Sequence, residues 1–213
     1  SYRDIQIGKM NNVEVHLNTK LSAKDVLEYG AEVVVCATGS TWRQDGCSHT
    51  NQHAIPGSDG ENVFTPDAVM AGAEVKGPVV VFDDDHYYMA AVIAEKLRKE
   101  GNEVTLVTPL MELARWGENT LEWEFTMERI HGLGIEVITD HNITNIGGNG
   151  VDISHLYVTG KERTIPCSST VLVASRLPND ALYRELAADP GALEEAGITT
   201  LERIGDSFSP GAI

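Results

Sequence analysis

The chain has 213 residues, with 32 acidic against 16 basic side chains and a formal net charge of −16. Its 42% apolar and 23% charged content is that of a globular protein rather than a disordered one. The acidic surplus argues against nucleic acid and anionic membranes as partners, and no apolar run approaches the roughly 20 residues that span a bilayer. Three cysteines without a C-x-x-C pair fit a reduced, cytoplasmic setting, and seven scattered histidines without ligand spacing predict no metal site.

Residues 13–17 alternate apolar and polar, as a half-buried strand does. Ser22 to Asp25 opens a short helical turn. Residues 31–39, ending in Ala37-Thr38-Gly39, form a β-branched run that reads as a fully buried parallel strand. Residues 40–66 are rich in Ser, Thr, Gly, Asn and Gln and read as a long surface connection. A second unit starts near Gly77, with a strand over 78–82 and a helix over 89–100. The helix carries Met89, Val92, Ile93 and Leu97 at helical spacing, and Gly101 stands where a C-terminal cap belongs. A strand over 103–107, a helix over 118–131 and a strand over 135–139 follow. This β-α-β-α-β order predicts a doubly wound, Rossmann-like parallel sheet. Strand-like pieces near 143, over 153–158 and over 163–165 come next, with a hairpin turn at Gly147-Gly148-Asn149-Gly150. Residues 171–174 read as one more buried strand, 180–186 as a helix, and 200–204 as a final strand leading into Gly205-Asp206. Cys36 and Cys167 lie in or beside strand-like runs and read as small core residues.

None of the 20 glycines belongs to a G-x-G-x-x-G fingerprint. The chain begins in the middle of the pattern and stops without a helix after Asp206, so it is expected to be a fragment of a longer protein.

The order of Ala37-Thr38-Gly39, Ile55-Pro56-Gly57, an inserted β-α-β unit and Ile204-Gly205-Asp206 resembles the two-dinucleotide-domain flavoproteins of the disulfide reductase type. The finer resemblance is to the trimethylamine, dimethylamine and histamine dehydrogenase family. It rests on residues 37–46, Ile55-Pro56-Gly57, residues 65–70, Tyr87-Tyr88-Met89-Ala90, residues 94–97 and residues 101–105. It spans nearly the whole chain, and Trp42 and Tyr88-Met89 add most to it. The resemblance implies an inserted NAD-type unit over 71–175 within an incomplete FAD- or ADP-binding-type domain, formed by 1–70 and 176–213. It also implies a parent oxidoreductase with an old-yellow-enzyme-like barrel carrying FMN and a four-iron cluster. That parent oxidises an amine, passes electrons to an electron-transferring flavoprotein and forms a homo-oligomer. ADP or FAD would be held in the intact parent, with none expected on this fragment alone. Thr38, Gly39, Gly205 and Asp206 are the implied nucleotide contacts, and no catalytic residue falls within the chain. Plain structural roles are the rival readings: a turn glycine for Gly39 and a helix cap for Asp206.

The segment Phe82-Asp83-Asp84-Asp85-His86 stands where a working NAD unit would place its glycine turn. Like charges about 4 Å apart repel by roughly 4 kcal/mol at an effective dielectric of about 20, so three aspartates oppose a pyrophosphate. They could instead bind a cation or, more simply, cap the following helix. Thr108-Pro109 replaces the carboxylate that would accept ribose hydroxyls. Both NAD cues are absent, so this unit is expected to keep the fold without the ligand. Trp42, Trp116 and Trp123 read as packing residues. Two rival functions remain: part of an NAD(P)H-dependent, dienoyl-CoA-reductase-like flavin oxidoreductase, or a non-catalytic docking domain.

Overall fold

The computed structural model describes residues 2–211. In chain order the strands are β1 (Val33–Cys36), β2 (Ser40–Trp42), β3 (Val63–Phe64), β4 (Val79–Asp83), β5 (Val104–Val107), β6 (Glu136–Ile138), β7 (His141–Gly147), β8 (Gly150–His155), β9 (Glu162–Pro166), β10 (Ser169–Val173), β11 (Arg176–Pro178) and β12 (Thr200–Arg203). The helices are α1 (Tyr2–Ile7), α2 (Ala23–Tyr29), α3 (Pro66–Met70), α4 (Met89–Lys99), α5 (Trp123–Gly132), α6 (Ala181–Ala187) and α7 (Pro190–Glu195). The fold is mixed α/β with a parallel sheet. Among the described residues no helix is long and apolar enough to cross a membrane.

The larger of two compact units comprises Thr38–Asn179. Its centre is a five-stranded parallel sheet in the order β3-β10-β4-β5-β6. Strand pleating sorts the apolar residues onto two faces. Val79, Val81, Val104, Leu106, Val171 and Val173 meet Val69 of α3, Ala90, Ile93 and Leu97 of α4, and Ile130 of α5. Val80, Phe82, Val107 and Leu172 meet Ile143, Ile146, Val151 and Ile153 of the antiparallel sheet β7-β8-β9. Each such fully buried side chain contributes about 1.5–3 kcal/mol of transfer free energy. The two faces therefore differ from the doubly wound expectation. Helices cover one side, and a three-stranded antiparallel sheet covers the other.

Local signals set α4 and the hairpin. After α4, Gly101 takes φ +95° and Asn102 N–H donates to Leu97 O at 3.1 Å, closing the helix end as the glycine predicted. Val92 departs from its predicted apolar face and is exposed, while Ala90, Ala91 and Ala94 complete the buried side. Gly147 pairs with Gly150 across the β7–β8 turn.

The smaller unit joins the residues up to Ala37 with Asp180–Phe208. Here β1 pairs in parallel with β12. Ala23 and Val26 of α2 pack with Leu186 of α6, Ile198, Val34 and Leu201. A capping box starts α2: Asp25 N–H donates to Ser22 Oγ at 3.3 Å and Ser22 N–H to Asp25 Oδ2 at 2.8 Å. The units divide at Ala37/Thr38 and Asn179/Asp180 rather than near 70 and 175, because β2 pairs with β11 and β3 with β10 inside the larger unit.

Four local expectations are corrected. Residues 13–17 form no strand: alternation alone has no partner ladder there, and Val13, Val15 and Leu17 are exposed. β1 is not fully buried. Val34 joins the core, whereas Val33 and Val35, 57% and 47% exposed, face away from it. Residues 40–66 contain β2 and β3, short strands within a polar stretch that form by pairing with distant strands. The helix expected over 118–131 begins only at Trp123, because Arg115–Glu118 closes a 3-10 turn and Leu121 takes φ +61°.

Candidate functional site

In open parallel sheets, ligands bind beyond the carboxyl ends of the strands, where loops diverge. β4 lies between β10 and β5, and its exit turn runs from Asp84 to Tyr88. Asp83, the last residue of β4, is fully buried. It accepts the His86 backbone N–H at 3.0 Å and the Ala114 N–H at 3.2 Å. Trp116 N–H donates to His86 O at 2.9 Å, so the segment after β5 is stitched to the turn at two points.

Asp84 is also fully buried. Its carboxylate accepts Thr50 N–H at 2.9 Å, Thr50 Oγ1 at 2.9 Å and Ser48 Oγ, and it lies 3.0 Å from His86 Nε2. The His86 backbone is left-handed at φ +63°, and its ring stacks on His49 at 5.9 Å. Asp85 lies 3.7 Å from Arg176, whose guanidinium stands over Trp42 at 5.1 Å.

The electrostatics follow from this burial. Desolvation pushes the Asp83 carboxyl up to about 6, with the nearby His86 opposing the shift. Burial also pushes Asp84 upward, but hydrogen bonds from His86, Ser48 and Thr50 prevail and hold it below the usual carboxylate range. Burial alone would lower His86. Its bond to Asp84 and the charges of Asp83 to Asp85 prevail and raise it.

The aspartates therefore do not cap the helix. α4 has Tyr88 at its N-cap, with no side-chain cap bond. Among the described residues no group of three His, Cys, Asp or Glu side chains is placed to hold a metal, and Asp83, Asp84 and Asp85 meet different partners. Within the turn, the His86 backbone amide is taken by the Asp83 carboxylate. At the end of β5, Thr108 is fully buried, and its Oγ1 accepts Leu110 N–H at 3.3 Å, so no carboxylate faces a ribose there.

The expected nucleotide contacts fall in separate units. Thr38 and Gly39 lie in the larger one. Asn179 binds both: its N–H donates to Gly39 O at 2.9 Å, its Nδ2 donates to Thr38 O at 3.3 Å, and its carbonyl accepts Thr38 Oγ1. Gly39 has φ +72°, a conformation that favours glycine, and no protein atom lies within 4 Å of where a Cβ would stand. Gly205 and Asp206 lie in the smaller unit. Gly205, at φ +60°, opens a 3-10 turn over Gly205–Ser207, and Ser207 Oγ donates to Cys36 O at 2.8 Å. Sequence reasoning missed Asn179, Ser48, Thr50 and Arg203. Arg203 pairs with Asp180, and its guanidinium lies 5.0 Å from Tyr183 and 5.4 Å from Phe208. Apart from Arg203–Phe208, these contacts join residues 20 or more apart and leave no local pattern. Of the tryptophans, Trp42 packs on the helix-side core, and Trp123 donates its indole N–H to Leu113 O at 2.9 Å. Trp116 is exposed, contrary to expectation.

Residues 64–173, just over half the chain, match the sequence profile of the OYE-like second alpha/beta domain. The chain belongs to that family. It is homologous to dimethylamine dehydrogenase of Hyphomicrobium sp. (strain x), with 34% identity over 98% of this chain and 32% of that protein. The solved histamine dehydrogenase from Rhizobium sp. 4-9 superposes with a TM-score of 0.93 at 38% identity, over 99% of this chain and 31% of that one. The 6-hydroxypseudooxynicotine amine oxidase from Pseudomonas geniculata N1 gives 0.93 at 36%, with the same coverage. The chain thus spans about a third of the length of these relatives.

For this OYE-like domain, calorimetric titration with NADH or NADPH is expected to show no saturable heat. The carboxylate-filled turn and the missing ribose acceptor act together. A dissociation constant at or below about 1 μM, worth roughly −8 kcal/mol, would overturn that reading of the turn.

Proposed function

We propose that the chain is the nucleotide-binding-type part of a larger flavin-dependent amine dehydrogenase and that it supplies no catalytic residue of its own. The observation that carries this is the continuity of the likeness. Identity of 34–38% to amine-oxidising relatives runs through 98–99% of the chain, both compact units included. In this reading FMN and a four-iron cluster belong to a barrel outside these residues. Electrons pass to an electron-transferring flavoprotein, and the parent is a cytoplasmic homo-oligomer. The three free cysteines support a reducing compartment. The inserted unit is a Rossmann-type descendant that kept its sheet and lost its phosphate turn.

The adenine nucleotide of the parent, ADP or FAD, is assigned to Thr38, Gly39, Gly205 and Asp206. Taken unit by unit, these residues have features that suit a ribose. Gly39 and Gly205 have left-handed backbones with open space at the Cβ position, and a carboxylate such as Asp206 accepts hydroxyl protons. They offer no cation, so the phosphates would be held by groups outside this set.

The 28% identity to a multifunctional alkene reductase/demethylase of Caballeronia cordobensis, over 92% of the chain, favours a second reading. In it the parent is an NAD(P)H-dependent reductase. The two readings separate in the full-length parent. Amine-dependent reduction of an artificial acceptor is expected, together with adenine nucleotide released on denaturation, and Asp206→Ala lowers the amount retained. A parent that reduces alkenes with NADPH, ignores amines and releases no adenine nucleotide would refute the proposal.

A further inference from the structure

The outer, three-stranded sheet carries a feature that the amine-dehydrogenase reading does not use. His141 on β7 stands directly opposite His155 on β8, their ring centroids 4.9 Å apart and the planes at 65°. His155 N–H donates to Lys161 O at 3.1 Å, which places Lys161 beside it at the entry to β9. Arg163 follows on β9, opposite Ile153. These four residues, with Gly160 and Glu162, line an open cavity of about 440 Å³.

The ring nitrogens are oriented by the backbone. His155 Nδ1 accepts Tyr157 N–H at 3.1 Å, so the proton of its neutral ring sits on Nε2. His141 Nδ1 lies 2.6 Å from the Thr139 carbonyl, which can only accept, so that nitrogen carries a proton. Neither Nε2, nor the Lys161 ammonium, nor the Arg163 guanidinium has an ion-pair or hydrogen-bond partner among the described residues. Glu162 is the acidic residue on the cavity wall, and Asp140 precedes His141 in the chain.

Lys161 and Arg163 bring two cations to one cavity wall, in a chain whose surplus charge is acidic. An oxyanion can take charge-assisted hydrogen bonds from Lys161 and Arg163, about twice as strong as neutral ones, and a further bond from His155 Nε2–H. The imidazoles are half-buried and Lys161 and Arg163 exposed on the same cavity, which suits a small ligand. An extended acidic protein surface would meet the field of a chain at −16, whereas a small dianion feels mainly the cluster within a Debye length of about 8 Å. We propose that the cavity lined by His141, His155, Lys161 and Arg163 binds a small phosphate-type dianion. The Tyr157 ring, 6.0 Å from His155, would flank the carbon portion of a phosphate monoester.

The test is a titration of the 213-residue chain followed through its histidine ring resonances near neutral pH. Inorganic phosphate and phenyl phosphate are added in parallel, with sodium chloride keeping the ionic strength constant. Saturable shifts confined to His141 and His155 are expected. The Lys161→Ala/Arg163→Ala double variant is expected to weaken the affinity at least about tenfold. Both side chains are exposed, so the variant should fold, and its unshifted remaining resonances verify this. Tighter binding of phenyl phosphate assigns the site to a phosphate ester, and equal binding assigns it to free phosphate. Shifts reproduced by chloride alone, or an unchanged titration in the double variant, would overturn the proposal.

Discussion

Asp84→Ala is expected to destabilise the larger unit by about 3–5 kcal/mol, the range found when one partner of a buried ionic network is removed. The reason is geometric. Asp84 has no exposed surface, and its two oxygens answer Ser48 Oγ, Thr50 N–H, Thr50 Oγ1 and His86 Nε2. Alanine would strand all of these partners, and a buried unsatisfied donor costs about 1–3 kcal/mol. Asp84→Asn keeps the volume but turns an amide donor toward groups that need an acceptor, so an intermediate loss is expected. Urea unfolding measures the size, and hydrogen exchange at the Thr50 amide measures the location. That amide should be protected in the parent chain and exchange readily in Asp84→Ala. A loss below about 1 kcal/mol with Thr50 still protected would mean that the carboxylate does not tie residues 48–50 to the β4 exit.

The second large effect belongs to Gly57. Its φ is +81°, and a Cβ built there would lie 1.9 Å from the backbone oxygen of Ile146. Ile146 N–H donates to Pro56 O at 2.8 Å, so the turn and β7 are already locked together and neither can yield alone. Gly57→Ala therefore combines a left-handed backbone, about 1–2 kcal/mol for an L-residue, with displacement of the antiparallel sheet from the core it covers. A total loss of about 3 kcal/mol or more is expected. Gly101→Ala is the control. Its φ is +95°, but nothing lies within 4 Å of the added methyl, so only the backbone contribution of about 1–2 kcal/mol should appear. Equal unfolding midpoints for the two variants would show that the approach to Ile146 is not a real constraint.

The Gly57 result bears on the motif that carried the family resemblance. Ile55-Pro56-Gly57 attracts attention in the sequence as a conspicuous tripeptide, yet its physical reason is invisible there. Ile55 enters the sheet-side core, Pro56 O accepts from β7, and Gly57 leaves room for the Ile146 carbonyl. The tripeptide pins an outer sheet that lies almost 90 residues away in the chain.

Elements whose causes are local were legible in the sequence. α4 could be read from its apolar spacing and Gly101, α2 from Ser22 and Asp25, and the β7–β8 turn from Gly147 to Gly150. The β-branched runs of β4, β5 and β10 could be read as buried strands because nothing but a sheet interior suits them. Residues 37–39 and 55–57, with their neighbours, also pointed to the amine dehydrogenase relatives that the identity along this chain bears out.

Only the tertiary structure decided what depends on partners far along the chain. β2 and β3 are strands because β11 and β10 lie beside them, although the stretch that contains them reads as loop. Val33 and Val35 are exposed although β12 pairs with every residue of their strand, because the pleat turns them to the face opposite Val34, away from the small core. Asp83, Asp84 and Asp85 look alike in sequence yet meet Ala114 and His86, then Ser48 and Thr50, then Arg176. Burial and hydrogen bonding, which separate a filled turn from an open phosphate cradle, are properties of three-dimensional neighbours. A pattern of residue types can show that the glycine fingerprint is gone, but only the packed turn shows what took its place.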